Sequence, residues 1–348
     1  MDHAQASGCP ALGARLEWTV EPVGKYRSSS ARVGVIVSLR SIRESEPCYE
    51  KRTPRSWSGS IALLKHRSGR CSDEPSWPAL GVRWTIGDVS DNGGQALRLS
   101  SVGARRVFGP SAAYAVCVNS VDVDVARARL GDIADGVQWL SVSREDVPAA
   151  IRACLDDGMA EGVAWKLAPL RVLPDRWEIS LDNDCILWDL PDGIRRWLDR
   201  ADRRQCLLAE DARALYGQFA RFCGPEPRNA GMRGLPPGYP LEDALTRLLG
   251  EVPSSLVSEL DEQGLQVAAA SMLAPPEVVS IDDLTICSPF PPHRTDLGRC
   301  GAHFCGLNAR HFAWQLEGRY AEEWIEEHWQ RHLPTLCQRV GIEVAASV

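Results

Sequence analysis

The hydrophobic positions form a regular pattern only from about Val107 onward, where apolar runs alternate with amphipathic ones. AAYAVCVNS (112 to 120) is a continuous apolar run that ends in polar residues, which is typical of a strand buried on both faces. Residues 123–134 then predict a helix, residues 136–143 a second strand, and residues 145–170 one or two helices. Strands that alternate with helices predict an α/β fold with a mostly parallel central sheet flanked by helices.

The preceding residues, 1–106, lack this order. Only ARVGVIVSL (31 to 39) predicts a clear strand, whereas residues 41–94 are rich in Ser, Arg, Gly and Pro, as loops are. We therefore predict two regions: an irregular N-terminal segment with one or two strands at 1–106, and the α/β domain at 107–348.

Two acids interrupt the next apolar run. WEISLDNDCILWDL (177 to 190) alternates as a strand up to Leu181 and then breaks at Asp182, Asn183 and Asp184 before an apolar stretch resumes. Ligands collect at the carboxyl ends of parallel strands, and two carboxylates this close in apolar surroundings need a counter-charge. Mg²⁺ or Mn²⁺, which binds carboxylate and phosphate oxygens, is the simplest one. The alternative is a turn in which Asp and Asn side chains bond to nearby backbone.

The composition and the charge limit which partners and which cellular location we expect. The chain has 348 residues, of which 44% are hydrophobic and 24% charged, as in soluble globular proteins. Its 39 basic and 46 acidic residues give a net charge of -7, so we expect no nucleic-acid partner. No apolar run approaches the roughly 20 residues that span a bilayer, so we expect no membrane span. The 12 cysteines include no C-x-x-C pair, which favours reduced thiols and a cytoplasmic location.

Two segments of the chain resemble a known group of enzymes. LDNDCILW resembles the D-x-D strand of GT-A-type glycosyltransferases, and GAHFCGLNARHFAW (301 to 314) is similar to the late H-x-x-G...W segment of glycosyltransferase family 8. The resemblance implies a GT-A-like domain over residues 107–348 and a metal site in which His303 joins Asp182 and Asp184. The implied cofactor is Mn²⁺ or Mg²⁺, for which a neutral imidazole is an acceptable ligand beside two carboxylates.

Two basic residues are candidates for contact with the donor. The family places Lys-Pro-Trp soon after the glycine of its motif, whereas here Asn308 and Arg310 follow Gly306, and Trp314 comes later. Arg310 is therefore a candidate for contact with the donor diphosphate. Lys166 lies on a predicted helix just before the acid strand, where the resemblance brings a basic residue near the donor. A solvated helix lysine is the alternative.

Two further candidates come from a strand end and a predicted loop. Asn119 ends the first strand of the α/β domain, where the resemblance implies a contact with the nucleotide, although Asn also simply terminates strands. PRNAGMRGLPPGYPLEDAL (227 to 245) predicts a loop with Arg228, Asn229 and Arg233 as polar tips. Such a loop fits a lid, an acceptor wall or a plain connection, and Arg233 is our candidate for donor contact.

The candidate catalytic residues lie at the start of a helix. SELDEQGLQVAAASML (258 to 273) predicts a helix whose first turns carry Asp261, Glu262 and Gln263. This cluster resembles the D-Q or E-Q segment that glycosyltransferases present to the sugar. The alternative is an exposed first turn that the helix dipole favours. Family 8 enzymes retain the anomeric configuration; an inverting enzyme would need Asp261 or Glu262 to deprotonate the acceptor.

Two sets of histidines and cysteines invite a zinc interpretation. EEWIEEHWQRH (322 to 332) spaces His328 and His332 one helical turn apart but lacks the H-E-x-x-H order, so we predict a solvated helix face. The cysteines and histidines between Cys287 and Cys305 match no common zinc spacing. We therefore predict no structural zinc site.

The favoured function is a metal-dependent glycosyltransferase. Its donor would be a nucleoside-diphosphate sugar, with a UDP-sugar preferred, and its acceptor is unknown. Two alternatives stay open. One is a metal-dependent nucleotidyltransferase, although no glycine-rich phosphate loop follows an early strand. The other is a non-catalytic relative that binds a sugar or a protein partner.

Overall fold

A seven-stranded mixed sheet forms the centre of the fold. The computed structural model describes residues 78–342 apart from 131–132, 134–135, 155–163, 253–254, 257 and 309–313. In chain order the strands of this sheet are β1 (Leu80–Ile86), β2 (Ala113–Val118), β3 (Val137–Ser141), β4 (Trp177–Leu181), β6 (Leu207–Glu210), β7 (Arg228–Leu235) and β8 (Glu277–Val279). A second sheet contains β5 (Cys185–Leu187), β9 (Leu284–Ile286) and β10 (Gly301–His303), and a two-stranded ribbon contains β11 (Gln315–Leu316) and β12 (Arg319–Tyr320).

Helices cover both faces of the large sheet. They are α1 (Asp91–Phe108), α2 (Val123–Leu130), α3 (Ala149–Arg152), α4 (Asp192–Arg200), α5 (Leu241–Gly250) and α6 (Glu259–Ala270), whereas α7 (Ala321–Val340) lies against the second sheet. Side chains of one strand alternate between the faces: Leu207 belongs to the buried cluster that includes residues of α1, α2 and α4, whereas Leu208 belongs to the cluster that includes residues of α5 and α6. None of the described helices is both long and apolar enough to cross a bilayer.

The strand order is β3-β2-β1-β4-β7-β6-β8. Neighbouring strands are parallel except at β7, which runs antiparallel to both β4 and β6. This arrangement confirms the prediction of an α/β fold with a mostly parallel central sheet flanked by helices. It also brings the carboxyl ends of β1, β2, β4 and β6 to one edge of the sheet, together with the beginning of β7.

Strand β1 corrects the predicted domain boundary. It lies in the middle of the sheet between β2 and β4, and α1 follows it, so the sheet domain begins before residue 107. The apolar pattern missed β1 because LGVRWTI includes an arginine. Arg83 is fully buried nonetheless, since its Nε lies 3.2 Å from Oε1 of Glu178 on β4. The predicted strand at 31–39 lies outside the described residues.

The segment predicted as a loop around Arg228 forms strand β7 instead. Its glycines mark close approaches between neighbouring groups rather than a turn. A Cβ atom on Gly231 would overlap Cε1 of His303, and one on Gly234 would lie 2.8 Å from the ring of Trp197. Glycine is therefore required here by packing, and sequence inspection took the same glycines for loop punctuation.

Helix α7 packs against the second sheet and α1 rather than standing in solvent on all sides. Trp329 is fully buried and donates from Nε1 to Oε1 of Gln95 at 2.9 Å. His328 is also buried, with 3% of its surface exposed, whereas His332 is half-buried. The predicted solvated face is thus wrong for His328, because the apolar stripe of α7 is wide enough to include it.

Candidate metal site and central cleft

The acid pair, Asp182 and Asp184, lies between two strands that belong to different sheets. Strand β4 ends at Leu181, and β5 begins at Cys185 and pairs antiparallel with β10, so that Cys185 faces His303. This pairing brings together residues that are more than a hundred positions apart in the sequence. Nε2 of His303 lies 3.5 Å from Oδ2 of Asp182 and 3.3 Å from Oδ1 of Asp184.

The three side chains form what we call the acid-imidazole site. One ligand atom from each of Asp182, Asp184 and His303 lies within 4.8 Å of the others. Asp184 and His303 are buried, and the Asp182 side chain is 21% exposed. Two carboxylate oxygens and one imidazole nitrogen suit Mn²⁺ or Mg²⁺, and both acids would otherwise share a poorly solvated space. The donor set therefore fits a hard divalent cation.

Lys166 belongs to this site. It lies on a short 3₁₀ turn, Ala164–Leu167, and its Nζ contacts Oδ2 of Asp182 at 2.8 Å. Burial opposes ionisation of both partners, but their mutual attraction outweighs it: the pKa of Lys166 is raised and the pKa of Asp182 is lowered. The lysine is thus a partly buried ion-pair partner rather than a solvated helix residue.

Protonation of His303 responds to the same acids. Burial lowers its pKa, but nearby negative charge, including Asp182 and Asp184, raises the pKa well above the ordinary value. The negative charge around the imidazole therefore favours its protonated form when no cation is bound. A bound metal would replace this proton, because a coordinating imidazole must present a lone pair.

Residues 182–184 form a turn, yet the carboxylates of Asp182 and Asp184 do not stabilise it through hydrogen bonds to nearby backbone in the described part of the chain. The N–H of Cys185 donates to the carbonyl of Asp182 at 3.0 Å. Asn308 donates from Nδ2 to Oδ1 of Asn183 at 2.8 Å and to Oδ2 of Asp184 at 3.4 Å. Asn183 in turn donates to the carbonyl of Gly93 at the start of α1 at 2.9 Å. The amides fix the turn, which leaves the acid pair directed at His303 and Lys166.

The acid-imidazole site opens into a cavity of about 740 Å³, which we call the central cleft. Seven of the sequence candidates line it: Asn119, Lys166, Asp182, Asp184, Glu262, Gln263 and His303. Gly306 and Trp314 of the resembling segment line it as well. Arg310 lies outside the described residues. The cleft therefore gathers residues from both resembling segments at one edge of the sheet.

Two candidates do not reach the cleft within the described part of the chain. Arg233 is 1% exposed and bonds from Nη1 to Oε1 of Gln266 beneath the sheet; burial lowers its pKa to about 10. Asp261 is buried too, and its Oδ1 accepts from the N–H of Gln218 at 2.9 Å. Arg233 was predicted as a polar loop tip and Asp261 from the resemblance, but Arg233 lies beyond Gly231 along β7 and Asp261 contacts the 3₁₀ helix Gly217–Phe222 instead.

Two acidic residues of α6, Glu259 and Glu262, line the cleft, and the buried one is Glu262. It is 2% exposed, and burial raises its pKa to about 7, with Lys166 opposing the rise and Asp182 adding to it. No described group donates a hydrogen bond to its Oε1. Its neighbour Gln263 is half-buried and donates to the carbonyl of Leu215 at 3.0 Å. Glu262 thus offers a carboxylate oxygen, Oε1, that accepts no hydrogen bond from the described residues, on a group whose pKa is about 7.

Asn119 ends β2 at the same edge. Its N–H donates to the carbonyl of Ile86, and its Oδ1 accepts from the hydroxyl of Ser120 at 2.6 Å. A Cβ on Gly87 would lie 2.9 Å from that Oδ1, so the chain after β1 passes close to the amide. Asn119 is 2% exposed and lines the cleft.

Sequence reasoning missed Asp211 and the role of Asn229. Asp211 follows β6 at the same edge and accepts from Nδ2 of Asn229 at 2.9 Å, while Nε2 of His293 lies 3.8 Å from its other oxygen. Burial raises the pKa of Asp211, but His293 and Asn229 lower it more. All three line the cleft. Acids that follow an apolar run were the signal that marked Asp182, and the acids after CLLA (206 to 209) could have marked Asp211 in the same way.

A register shift shapes the wall opposite His303. Strand β7 pairs Arg233 with Leu208 but Asn229 with Ala209, so the residues between them have no partner on β6. Gly231 lies in this bulge; its carbonyl accepts from the N–H of Asp182 at 2.8 Å, and its N–H donates to Oδ1 of Asn229 at 2.7 Å. The bulge thus allows the backbone of β7 to approach the imidazole.

No protein-family profile and no curated protein matches this chain. Solved structures that overlay on it include an active-site mutant of LgtC, with a TM-score of 0.43 and 14% identity over 72% of this chain and 95% of that chain. Mouse xyloside xylosyltransferase 1 gives a TM-score of 0.43 and 14% identity over 62% of this chain and 89% of that chain. The bifunctional glycosyltransferase WbbM gives a TM-score of 0.43 and 12% identity over 76% of this chain and 52% of that chain.

Proposed function

We propose that this protein is a metal-dependent glycosyltransferase that uses a nucleoside-diphosphate sugar as donor, with a UDP-sugar preferred. The observation that carries the proposal is the convergence of Asp182, Asp184 and His303 beside Lys166 at the mouth of a 740 Å³ cleft. A diphosphate carries the negative charge that such a site can bind through a hard cation. The cleft is large enough for a sugar and a nucleoside.

The acid-imidazole site would hold the cation through two carboxylate oxygens and the imidazole. When bound, Mn²⁺ or Mg²⁺ supplies electrophilic stabilisation to the departing diphosphate, whose charge grows in the transition state. Lys166 adds a second positive charge on the same side, held in place by Asp182. Asn308 and Asn183 keep Asp184 oriented, which limits the reorganisation that binding requires.

Residues on α6 and β2 would bind the organic parts of the donor. Glu262 and Gln263 face the cleft from the first turns of α6, where a carboxylate and an amide can hydrogen-bond sugar hydroxyls. Glu262 accepts a proton near neutral pH, so it is suited to bind or deprotonate a hydroxyl there. Asn119 lies at the end of β2, where it can contact the nucleoside.

The proposal is tested with a panel of UDP-, GDP-, ADP- and TDP-sugars, with Mn²⁺ or Mg²⁺ added and with EDTA as the metal-free arm. We expect release of the nucleoside diphosphate from at least one donor, dependent on the cation, and tighter binding of that diphosphate by calorimetry when the cation is present. Binding without cleavage or transfer under any condition would instead favour the non-catalytic relative. Release of pyrophosphate from a nucleoside triphosphate would favour the nucleotidyltransferase.

Replacing Lys166 by Met is expected to weaken binding of UDP with Mn²⁺ by about tenfold, which is roughly 1.4 kcal/mol. The reason is the loss of the ammonium that lies 2.8 Å from Asp182 and borders the cleft. Isothermal titration calorimetry measures the change. Lys166→Arg keeps the charge in a different shape and should recover part of the affinity. Equal affinities in the wild type and Lys166→Met would contradict a role in diphosphate binding.

Replacing Glu262 by Gln is expected to change how stability depends on pH. The folded-state pKa is about 7 against an ordinary 4.5, so folding takes up a proton between these values, and wild-type stability falls as pH rises through that window. The amide cannot ionise. Glu262→Gln should therefore be more stable than the wild type at pH 8, by on the order of 3 kcal/mol, and nearly equal to it at about pH 4.

Urea unfolding at several pH values, with EDTA present, measures this difference. The exposed Glu242 lies in the first turn of α5 and outside the cleft lining, so Glu242→Gln is the matched control and should follow the wild-type curve. Parallel pH profiles for wild type and Glu262→Gln would contradict a raised pKa for this carboxyl. The same variant should transfer sugar about a hundredfold more slowly if its carboxylate acts on a hydroxyl.

A further inference from the structure

A second group of metal-ligating side chains lies outside the central cleft machinery. Cys287 follows β9, and α7 presents His328 and His332 one turn apart on the side that faces it. One ligand atom from each of the three lies within 4.8 Å of the others, and Sγ of Cys287 lies 3.2 Å from Nε2 of His328. We call this group the thiol-imidazole cluster.

The spacing of these atoms is close to what a tetrahedral metal requires. Zinc binds sulfur at about 2.3 Å and imidazole nitrogen at about 2.0 Å, which places neighbouring ligand atoms about 3 to 4 Å apart. Cys287 and His328 are 1% and 3% exposed, so little rearrangement of solvent would be needed. The rings of His328 and His332 meet edge to face, with centroids 4.7 Å apart. The cluster is therefore already assembled.

The ring nitrogens of the two histidines in the cluster do not all have hydrogen-bond partners among the described residues. Within the described residues Nδ1 of buried His328 has no hydrogen-bond partner. The other ring nitrogen of His328, Nε2, lies beside Sγ of Cys287 and is the atom available to a metal. His332 bonds through Nε2 to the carbonyl of Thr295 at 2.8 Å. A ring nitrogen that donates to a carbonyl leaves the other nitrogen with a lone pair, which is the usual second-shell arrangement of a metal-bound histidine.

The charge state of the cluster suits a cation. Burial lowers the pKa of His328 to about 4 and also lowers the pKa of His332, so both rings are neutral at pH 7. Burial raises the pKa of the Cys287 thiol to about 12, so its proton leaves only when a metal replaces it. The exposed Asp296 lies near enough to raise the pKa of all three groups. Its negative charge would help to balance a divalent ion.

We propose that Cys287, His328 and His332 form a second metal site, which takes Zn²⁺ through one thiolate and two imidazoles. Soft and borderline ligands select zinc, whereas the two carboxylates of the acid-imidazole site select Mn²⁺ or Mg²⁺. A water molecule or the Asp296 carboxylate completes the tetrahedron. Bound zinc ties the end of β9 to α7, and this proposal does not depend on glycosyl transfer.

The sequence alone conceals this site. Cys287 lies 41 positions before His328, and a C-x₂-C or H-E-x-x-H search does not find such a separation. Backbone pairing brings the parts together: the N–H of Cys287 donates to the carbonyl of His303 at 2.8 Å, and Phe304 packs against both histidine rings at 5.9 Å. The prediction that this region holds no structural zinc considered Cys287 with other partners and did not pair it with α7.

The test is a Co²⁺ titration of the full-length, metal-stripped protein with excess Mg²⁺ present to occupy the acid-imidazole site. A Co²⁺-thiolate bond gives a charge-transfer band in the near ultraviolet, which carboxylates and imidazoles do not give. We expect this band in the wild type, its loss in Cys287→Ser, and at least about a hundredfold weaker Co²⁺ binding in His332→Gln. Zinc should displace the cobalt.

Two variants make the result specific. Cys305→Ser removes a thiol that lies close to His303, so it should retain the band if the band arises at Cys287. His332→Gln replaces a half-buried surface residue of α7 and keeps the site testable if Cys287→Ser fails to fold. Zinc content by mass spectrometry should fall by one ion in each of the two ligand variants. A band that persists in both, or no band in the folded wild type, would overturn the proposal.

Discussion

Replacing Asp184 by Asn is expected to abolish cation-dependent cleavage of the donor, with a loss of at least about a hundredfold in kcat/KM. The Asp184 side chain is buried, lies 3.3 Å from His303 and accepts a hydrogen bond from Asn308. Among the described residues, Asp182 supplies the other carboxylate of the acid-imidazole site. The amide keeps the shape of the residue but removes the charge that a hard cation needs. Mn²⁺ affinity, measured by calorimetry, should fall in parallel.

The matched control is Asp124→Asn, which makes the same chemical change at an exposed position in the first turn of α2. It should bind Mn²⁺ and cleave the donor as the wild type does. Circular dichroism and unfolding curves should show that Asp184→Asn remains folded, because the Asn183 and Asn308 bonds that fix the turn are still possible. Undiminished activity of Asp184→Asn would remove the metal from the mechanism.

Replacing Glu178 by Gln is expected to lower the free energy of unfolding by about 3 to 5 kcal/mol. Glu178 is 1% exposed and neutralises the fully buried Arg83 across β1 and β4, in the middle of the sheet. Its Oε2 also accepts from the N–H groups of Val172 and Leu173 at 2.9 and 2.5 Å. The amide can still accept those bonds, so the variant isolates the effect of an uncompensated buried charge.

Urea unfolding with an unchanged m-value measures the loss. The exposed Glu242 at the start of α5 provides a control, since Glu242→Gln should change stability by less than about 0.5 kcal/mol. The double variant Arg83→Met/Glu178→Gln should be less destabilised than the two single changes combined, because it no longer buries an unpaired charge. Strict additivity would show that the two groups do not interact.

Local pattern was sufficient where burial follows from the residue type. The apolar runs of β2, β3 and β4 predicted strands, and their alternation with helices predicted the class of fold. The hydrophobic pattern did not predict β1 and β7, because contacts with residues far away in the sequence, rather than the residue types within each strand, determine burial there. Arg83 is buried only because Glu178 lies on the neighbouring strand, and Gly231 is needed only because His303 lies opposite it.

The candidate site shows the same division. The acid pair stood out because two carboxylates this close in apolar surroundings need a counter-charge, and a resembling motif supplied His303. Which polar residues face the cleft depends on the side of its helix or strand from which each side chain projects. On α6, Glu262 points into the cleft, whereas its neighbour Asp261 holds the 3₁₀ helix Gly217–Phe222. A one-dimensional pattern cannot distinguish two adjacent acids on a helix whose neighbours are unknown.

The reversed direction of β7 has a consequence for the rigidity of the cleft. In a purely parallel sheet, only the segments after strand ends reach the ligand-binding edge, and these are loops. Here Asn229 and Gly231 reach that edge from within a strand whose backbone is bonded to β4 and β6. One wall is thus preorganised before any ligand arrives, and adaptation to different ligands must come from the opposite wall.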